Sequence, residues 1–304
     1  MGENSKIAWT HATFNAWIGC VHKSPGCENC YAEVETFPRV QRSHGLELWG
    51  AHADRHITSA SNWAQPIKWN AEAAAAGERR RVFCSSLSDV FEDRPDLVAP
   101  RARLYKLIQS TPSLDWLLLT KRPEHADRLW AGANVDAWDG SESIGPVWLP
   151  NVWLGASVED RKRALERLPI LRGLRAMGNG PAIVFVSAEP LLEDISLELH
   201  DALFVGDEGG GEWAGAPRQQ IDWVIVGGES GTHARLFDLG WARSIVDMCK
   251  RARTACFVKQ LGADPIDGAA GCSPQFRDKK AGDPGEWPPE LVVREFPVNA
   301  RLVP

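Results

Sequence analysis

The sequence predicts an α/β fold: a partial, TIM-like (β/α) barrel of parallel strands, followed by an irregular C-terminal tail. Six short runs rich in Val, Ile, Leu, Phe or Trp begin about 30 to 40 residues apart, the length of a strand plus a crossover helix. The runs are almost continuously apolar rather than alternating, as expected for strands buried on both faces of a parallel sheet.

The elements can be placed in chain order. The six strands are predicted at 82–84, 116–119, 152–154, 183–186, 223–226 and 256–258, with a weaker one at 14–18. Helices are predicted between them at 97–109, 123–130, 161–175 and 241–253. Asp96 directly precedes the first of these helices and is the expected N-cap.

We expect one domain rather than two. It covers residues 1–262, with insertions near 34–80 and 200–220, the second marked by glycines at 209–211. From residue 263 to 304 proline and glycine become frequent, which predicts an irregular C-terminal extension.

Composition narrows the class of protein. With 304 residues, 44% of them hydrophobic and 24% charged, the chain is typical of a globular protein with a large core. No apolar run is long enough to span a bilayer and the N-terminus lacks an apolar signal segment, so we expect a cytoplasmic protein without membrane contact. The net charge of −6 argues against a protein that wraps nucleic acid over its whole surface.

The segment Gly19–Tyr31, here called the cysteine loop, is the most specific feature of the sequence. It contains Cys20, Cys27 and Cys30, spaced C-x6-C-x2-C. In a reducing compartment clustered cysteines are expected to bind metal rather than to form disulfides. Three thiolates can hold an iron–sulfur cluster and leave one iron open, or a zinc ion whose fourth ligand would be His22.

Polar residues follow every predicted strand, and the carboxyl ends of parallel strands are where sites form in such folds. We therefore expect one shared polar site. Its candidate residues are Ser85, Ser86, Asp89, Lys121, Arg122, Ser157, Glu159, Glu189, Gly227, Gly228, Glu229 and Lys259. A weaker interpretation of the same residues is a metal-dependent nuclease or hydrolase that holds a divalent ion with Asp89, Glu159 and Glu229.

Several stretches together resemble one family. They are 7–10, 13–15, the cysteine loop, 118–123, 151–155, 186–191 and 222–231. In this order they resemble the phage Gp37/Gp68-like family, also called DUF5131, over about residues 7 to 262. That family is regarded as radical-SAM-like, where SAM is S-adenosylmethionine, and the resemblance implies Cys20, Cys27 and Cys30 as ligands of a [4Fe–4S] cluster.

The sequence departs from the general radical SAM pattern in two places. The commonest loop is C-x3-C-x2-C with an aromatic residue just before the last cysteine, whereas here Asn29 holds that place and Tyr31 follows the loop's last cysteine. The Gly-Gly-Glu sequence of the wider superfamily usually follows the second strand, but here it comes late, at Gly227-Gly228-Glu229.

The resemblance implies a function. A reduced [4Fe–4S] cluster would cleave SAM to a 5′-deoxyadenosyl radical that acts on a nucleotide or a modified DNA base, in a nucleobase modification, isomerase or lyase reaction. An electron donor such as flavodoxin is the expected partner, and the bacterial host cytoplasm is the expected location if the chain is phage-encoded. The alternative is a zinc-knuckle protein that binds nucleic acid without catalysis.

Roles follow for the candidate residues. Lys121, Arg122 and Glu189 are expected to be catalytic, with the two cations neutralising a carboxylate or phosphate. Cofactor binding is expected of Ser85, Ser86, Asp89, Ser157, Glu159, Gly227, Gly228 and Glu229. The two glycines would allow backbone to approach the cofactor closely, and the carboxylates would accept hydrogen bonds from its ribose or ammonium group.

Overall fold

The structure is a computed structural model that describes residues 2–3, 5–36, 45, 47–133, 148–204 and 221–298. Of the predicted insertions, residues 37–44 and 46 of the first and 205–220 of the second lie outside the described residues. The chain divides into two compact units. The first comprises Met1–Gly155 with Asn179–Ala182, and the second comprises Ala156–Gly178 with Ile183–Asn299. One domain over 1–262 stays a prediction.

The strands and helices of the described residues are as follows. The strands are β1 (Gly2–Glu3), β2 (Ala12–Thr13), β3 (Trp17–Ile18), β4 (His56–Ile57), β5 (Arg80–Cys84), β6 (Leu114–Thr120), β7 (Val152–Ser157), β8 (Ile183–Ala188), β9 (Trp223–Gly227), β10 (Phe237–Asp238), β11 (Ala255–Gln260) and β12 (Pro265–Ile266). The helices are α1 (Ala60–Ala76), α2 (Val98–Gln109), α3 (Ala126–Ala133), α4 (Arg161–Ala176), α5 (Ser196–Leu203) and α6 (Leu239–Ala252). Among these residues no helix has the length and apolarity needed to cross a membrane.

The sheet of the first unit follows chain order, β1-β2-β5-β6-β7. β1 pairs antiparallel with β2. β2 with β5 and β5 with β6 pair in parallel, with Ala12 opposite Val82 and Val82 opposite Trp116. At the start of β7 the backbone N–H of Trp116 donates to the carbonyl of Asn151 (2.8 Å). Every residue of β7 is buried, which explains its unbroken apolar sequence.

The strands of the second unit are also parallel neighbours. The N–H of Val158, just after β7, donates to Ser187 in β8 (2.8 Å), and β8, β9 and β11 are parallel neighbours in that order. Trp223 of β9 lies opposite Phe185 on one side and Ala255 on the other. In both units strand order runs along the chain without reversal, so the predicted α/β fold of partial (β/α) barrel topology is confirmed.

All six strong apolar runs are strands, as predicted, but two finer predictions are wrong. The weak run at 14–18 is not one strand: Ala12–Thr13 joins the main sheet, while Trp17–Ile18 pairs antiparallel with His56–Ile57. Asp96 does not cap α2, because Arg94 holds its carboxylate through two hydrogen bonds (2.9 and 2.8 Å). A short 3₁₀ turn, Pro95–Leu97, leads into the helix instead.

The C-terminal extension covers the exposed edge of β11. The N–H of Val258 donates to Val293 and that of Glu295 donates to Cys256 (2.9 and 2.8 Å), so the extension adds an antiparallel partner to this edge strand. Trp287 is buried, and its indole N–H donates to the carbonyl of Ala281 (2.9 Å). An edge paired in this way cannot pair with another chain.

The buried side chain of Asn151 anchors the start of β7. Its amide nitrogen donates to the carbonyls of Ile108, Thr111 and Leu114, each at 3.1 Å. We predict that Asn151→Asp, which replaces this donor by a carboxylate, lowers the free energy of unfolding by at least about 2 kcal/mol. Urea unfolding followed by circular dichroism measures the change.

The matched control is Asn70→Asp. The Asn70 side chain uses its oxygen to accept from the backbone N–H of Ser113 (2.8 Å), and aspartate keeps that acceptor. The control is expected to stay within about 0.5 kcal/mol of the native chain. Equal losses in the two variants would contradict the role given to the Asn151 donor.

Candidate metal centre

The cysteine loop is fixed at its start by backbone pairing. The N–H of Cys20 donates to Leu48 (3.2 Å), and its carbonyl accepts from Gly50 (3.0 Å). Pro25–Cys27 forms a 3₁₀ turn in which the N–H of Cys27 donates to Ser24 (2.9 Å), and the π-helical turn Ala32–Thr36 follows the loop. The two ends of the loop are therefore held by regular structure.

The three loop cysteines are all free thiols. Cys27 is buried, and Cys20 and Cys30 are half-buried. In the part of the chain that the structure describes, no group of three His, Cys, Asp or Glu side chains is placed so that it could hold a metal ion. Shared ligation of one metal therefore requires a change of side-chain rotamers from those seen, and the three ligands stay a prediction.

Gly19 sets the direction in which the chain enters the loop. Its φ is +116°, in the region that side chains disfavour. A Cβ built there would lie 2.5 Å from the carbonyl oxygen of Leu48 and 3.1 Å from Cδ of Arg55. Position 19 therefore requires glycine for two reasons: its positive φ and the lack of room for a Cβ atom.

A buried ion pair between Arg55 and Glu92 holds the backbone next to the start of the cysteine loop. Arg55 donates to both carboxylate oxygens of Glu92 (2.8 and 2.6 Å), and also to the carbonyls of Leu48 and Gly50 (3.1 and 3.2 Å). Leu48 and Gly50 are also the residues whose backbone pairs with Cys20. Arg55 therefore holds the backbone against which the loop is registered.

Arg122 lies directly beside the first cysteine. Its Nη1 is 2.8 Å from Asp89 Oδ2 and 3.9 Å from Cys20 Sγ, and its Nη2 donates to the carbonyl of Val21 (2.9 Å). Arg122 is only 5% exposed. Its guanidinium joins the end of β6 to the cysteine loop.

Asp89 accepts hydrogen bonds from four directions. Besides Arg122, its donors are the hydroxyl of Thr120 (2.7 Å) and the backbone N–H groups of Lys121 and Phe91 (both 3.0 Å). Burial by itself would raise the pKa of Asp89, but Arg122 and these hydrogen bonds outweigh it and hold the pKa below its ordinary value. All four hydrogen bonds come from the protein itself, and through one of them Asp89 orients Arg122. Cofactor binding by Asp89 stays a prediction.

The Cys20 thiol is strongly desolvated. Burial raises its pKa to about 12, Asp89 adds to the rise, and Arg122 opposes it. Without a metal the side chain is therefore a neutral thiol near neutral pH, and metal binding has to displace its proton.

Ser85 and Ser86 follow β5, and Ser86 contacts the end of the cysteine loop through Tyr31. The hydroxyl of Ser86 accepts from the Asn15 amide (3.0 Å), and its carbonyl accepts from the Tyr31 hydroxyl (2.9 Å). Ser85 is buried beside Cys84, to which it is joined by a cis peptide bond. Tyr31 thus packs against the end of β5.

His22, the predicted fourth ligand of a zinc site, pairs with another residue. Its Nε2 lies against the carboxylate of Glu33, in the π-helical turn. The predicted zinc set of three cysteines and His22 is not assembled in the described residues.

The second unit contains the remaining candidates, and two of its carboxylates are held by arginines. Arg167 donates to Glu159 (2.9 Å) and to the carbonyl of Ser157 (2.7 Å), and Glu159 is fully buried. Arg235 binds Glu229 through its side chain at 2.7 and 3.0 Å and through its backbone N–H at 2.9 Å. These carboxylates stabilise the protein's own loops.

Glu189 and Lys259 form a further ion pair in this unit. Lys259 Nζ lies 2.8 Å from Glu189 Oε1, and the two side chains are 26% and 11% exposed. The Ser187 hydroxyl donates to the other oxygen of Glu189 (3.2 Å). Glu189 follows β8 and Lys259 lies in β11, so the pair connects the two strands on either side of β9.

The two glycines at the end of β9, Gly227 and Gly228, are closely packed within the protein. A Cβ on Gly228 would lie 2.7 Å from the Leu261 carbonyl and 2.8 Å from Gly262 Cα, and one on Gly227 would lie 3.0 Å from Glu189 Oε1. Gly228 also exchanges hydrogen bonds with Gln260, at 3.1 and 2.9 Å. At Gly228 the group that lies close is the loop after β11. Approach of these glycines to a cofactor stays a prediction.

The structure thus groups the candidates by unit. Around the cysteine loop it assembles Cys20, Ser86, Asp89, the backbone of Lys121, and Arg122. In the second unit it joins Glu189 to Lys259 but ties Glu159 and Glu229 to separate arginines. A single site shared by all six strand ends stays a prediction.

Sequence reasoning missed several residues that build the centre. Asn15 lies within a stretch that carried the family resemblance, so a signal existed there. Arg55 and Glu92 gave no signal, because their partners are 37 positions apart in the sequence. Ser24 lies inside the loop, and its Oγ is buried without a hydrogen-bond partner among the described residues.

A family model described as a protein of unknown function, DUF5131, matches residues 4–283. The chain belongs to the DUF5131 family. No curated protein matches the chain.

Among solved structures, the chain is similar to a cysteine mutant of spore photoproduct lyase, at 14% identity and a TM-score of 0.44, over 83% of this chain and 65% of that one. It is also similar to a double mutant of that enzyme with bound AdoMet and dinucleoside spore photoproduct, at 14% identity and a TM-score of 0.43, over 83% of this chain and 64% of that one. The DUF5131 chain therefore spans just under two thirds of each of these chains.

Gly19→Ala tests the geometry of the loop entrance. We predict a loss of at least about 2 kcal/mol more than Gly50→Ala, since the new Cβ would overlap the Leu48 carbonyl. Gly50 has nearly the same φ (+118°) but nothing within 4 Å of its virtual Cβ, so it reports the conformational cost alone. Thermal unfolding measures the Tm of Gly19→Ala and Gly50→Ala. A lower Tm in Gly19→Ala is expected, and equal values would contradict the overlap with the Leu48 carbonyl.

Gly228→Ala tests whether this glycine is needed for packing. We predict a loss of about 1–3 kcal/mol, because the Cβ would overlap the backbone of the loop after β11. Gly173→Ala, within α4 and with nothing near its virtual Cβ, should instead gain about 0.5–1 kcal/mol. If Gly228→Ala is as stable as the native chain, a role in ligand approach regains support.

Proposed function

We propose that this DUF5131 protein is a radical SAM enzyme whose [4Fe–4S] cluster is held by Cys20, Cys27 and Cys30. One observation carries the proposal: three free cysteines lie on one loop that is fixed at both ends, with a guanidinium 3.9 Å from the first sulfur. A site with three thiolates leaves one iron open, unlike a closed four-cysteine zinc site.

The chemistry of the surrounding residues fits such a cluster. Thiolate ligands bring negative charge, which the buried Arg122 offsets. The Ser24 hydroxyl, buried without a partner among the described residues, is a donor that a cluster sulfur could accept from. His22 contacts Glu33, which supports a ligand set made of the three cysteines alone.

A bound [4Fe–4S] cluster would supply the electron that cleaves SAM and yields a 5′-deoxyadenosyl radical. The protein's part is to hold the cluster and to orient and shield the reactants. Glu189, which follows β8, keeps its proposed catalytic role, and in this structure it pairs with Lys259 at 2.8 Å.

The substrate class belongs to the same proposal. It is a nucleotide or a modified DNA base, supported by the resemblance to phage proteins. A flavodoxin-like electron donor and a cytoplasmic location complete it, because a cluster of low potential needs a reductant and reducing surroundings. The reaction is a modification, isomerisation or lyase step on the base.

Single cysteine variants test the proposal. Anaerobically reconstituted Cys20→Ala, Cys27→Ala and Cys30→Ala should each lose most iron and sulfide, and with dithionite and SAM should form at least about tenfold less 5′-deoxyadenosine than the native chain. Elemental analysis and chromatography measure both quantities. Cys272→Ala, at an exposed position in the extension, is the control that should keep both.

The alternative outcomes are distinct. Zinc at one per chain without sulfide, lost from the same three variants, would support the zinc-knuckle alternative. Iron and sulfide that persist in the loop variants would show that the cluster, if bound, has other ligands.

A further inference from the structure

Arg122 is not available to a substrate. The guanidinium is buried, and its two terminal nitrogens already contact Asp89, the carbonyl of Val21 and the sulfur of Cys20. A carboxylate or phosphate from a substrate would have to displace these contacts. The residue was expected to be catalytic, but its surroundings point to the metal centre instead.

A fixed positive charge beside a ligand sulfur affects the redox properties of a cluster. One-electron reduction, from [4Fe–4S]²⁺ to [4Fe–4S]⁺, adds negative charge to the cluster and its thiolates. A nearby cation stabilises the reduced form more than the oxidised form, and at about 4 Å in a partly buried site the interaction is screened only weakly. Charge and hydrogen bonds at the sulfurs are established determinants of cluster potential.

Asp89 acts in the opposite direction. Its carboxylate is 4% exposed, lies 2.8 Å from Arg122, and is fixed by Thr120 and by two backbone N–H groups. It holds the guanidinium in place, and its negative charge partly offsets the effect of that cation on the sulfur.

We infer that Arg122 sets the reduction potential of the cluster in the cysteine loop, and that Asp89 is the positioning residue that orients it. The inference rests on the proposed function, because it requires an iron–sulfur cluster at Cys20. The two charges have opposite effects: Arg122 raises the potential and Asp89 lowers it.

The experiment is a redox titration of the reconstituted full chain, followed by EPR of the reduced cluster, in four variants. In Arg122→Gln the ratio of reduced to oxidised cluster at a fixed potential should fall at least about tenfold, while in Asp89→Asn it should rise. Arg122→Lys keeps the charge and should stay close to the native ratio. Lys23→Gln removes a cation of the same loop that is 40% exposed and paired with Glu124, and solvent screening should leave the ratio nearly unchanged.

Opposite shifts in Arg122→Gln and Asp89→Asn, with iron content retained, would support the inference, since loss of packing alone has no reason to change sign. If Arg122→Gln loses its cluster, the ratio of reduced to oxidised cluster in Asp89→Asn is compared with that in Arg122→Lys. A higher ratio in Asp89→Asn supports the inference, and equal ratios overturn it. Unchanged potentials in every variant of a chain that binds iron and cleaves SAM would overturn the inference and leave the proposed function intact. A native chain without iron would overturn both.

Discussion

A buried ion pair between Arg122 and Asp89 is the interaction on which the cysteine loop depends. Asp89 follows β5 and Arg122 follows β6, so the pair joins the ends of two neighbouring parallel strands. From there the guanidinium reaches the backbone and the sulfur at the start of the loop. Removing either partner would leave an uncompensated buried charge, typically a loss of about 3–5 kcal/mol. This ion pair and the backbone pairing of Cys20 with Leu48 and Gly50 together fix the position of Cys20 relative to the sheet of its unit.

Other buried carboxylates of the described residues are also paired with arginines. Arg55 with Glu92 and Arg235 with Glu229 each neutralise a buried carboxylate through two or more hydrogen bonds. Arg167 neutralises Glu159 through one hydrogen bond and donates a second to the carbonyl of Ser157. Pairs of this kind add little net stability compared with apolar packing, but they strongly disfavour any arrangement that separates them. In this chain they hold the segments that follow the strands in place.

The sequence allowed the strands to be predicted because burial on both faces produces continuous apolar runs, such as 152–154 and 183–186. Polar residues at the strand ends could also be located. Their partners could not, because Arg122 and Asp89 are 33 positions apart and no local pattern connects them. Asp96 shows the same limit, since a local capping rule failed where a neighbouring arginine competed for the carboxylate. Gly228 was predicted to approach a cofactor, and that stays a prediction; a single sequence does not show that the loop after β11 lies against it.

The central claim is that the cysteine loop holds a cluster with one open iron. Low-temperature EPR of anaerobically purified, reconstituted and dithionite-reduced protein, with and without SAM, tests it most directly. The account predicts a [4Fe–4S]⁺ signal whose shape changes when SAM is added, because SAM occupies the open iron. Absence of a cluster signal, with one zinc ion per chain in its place, would contradict the account.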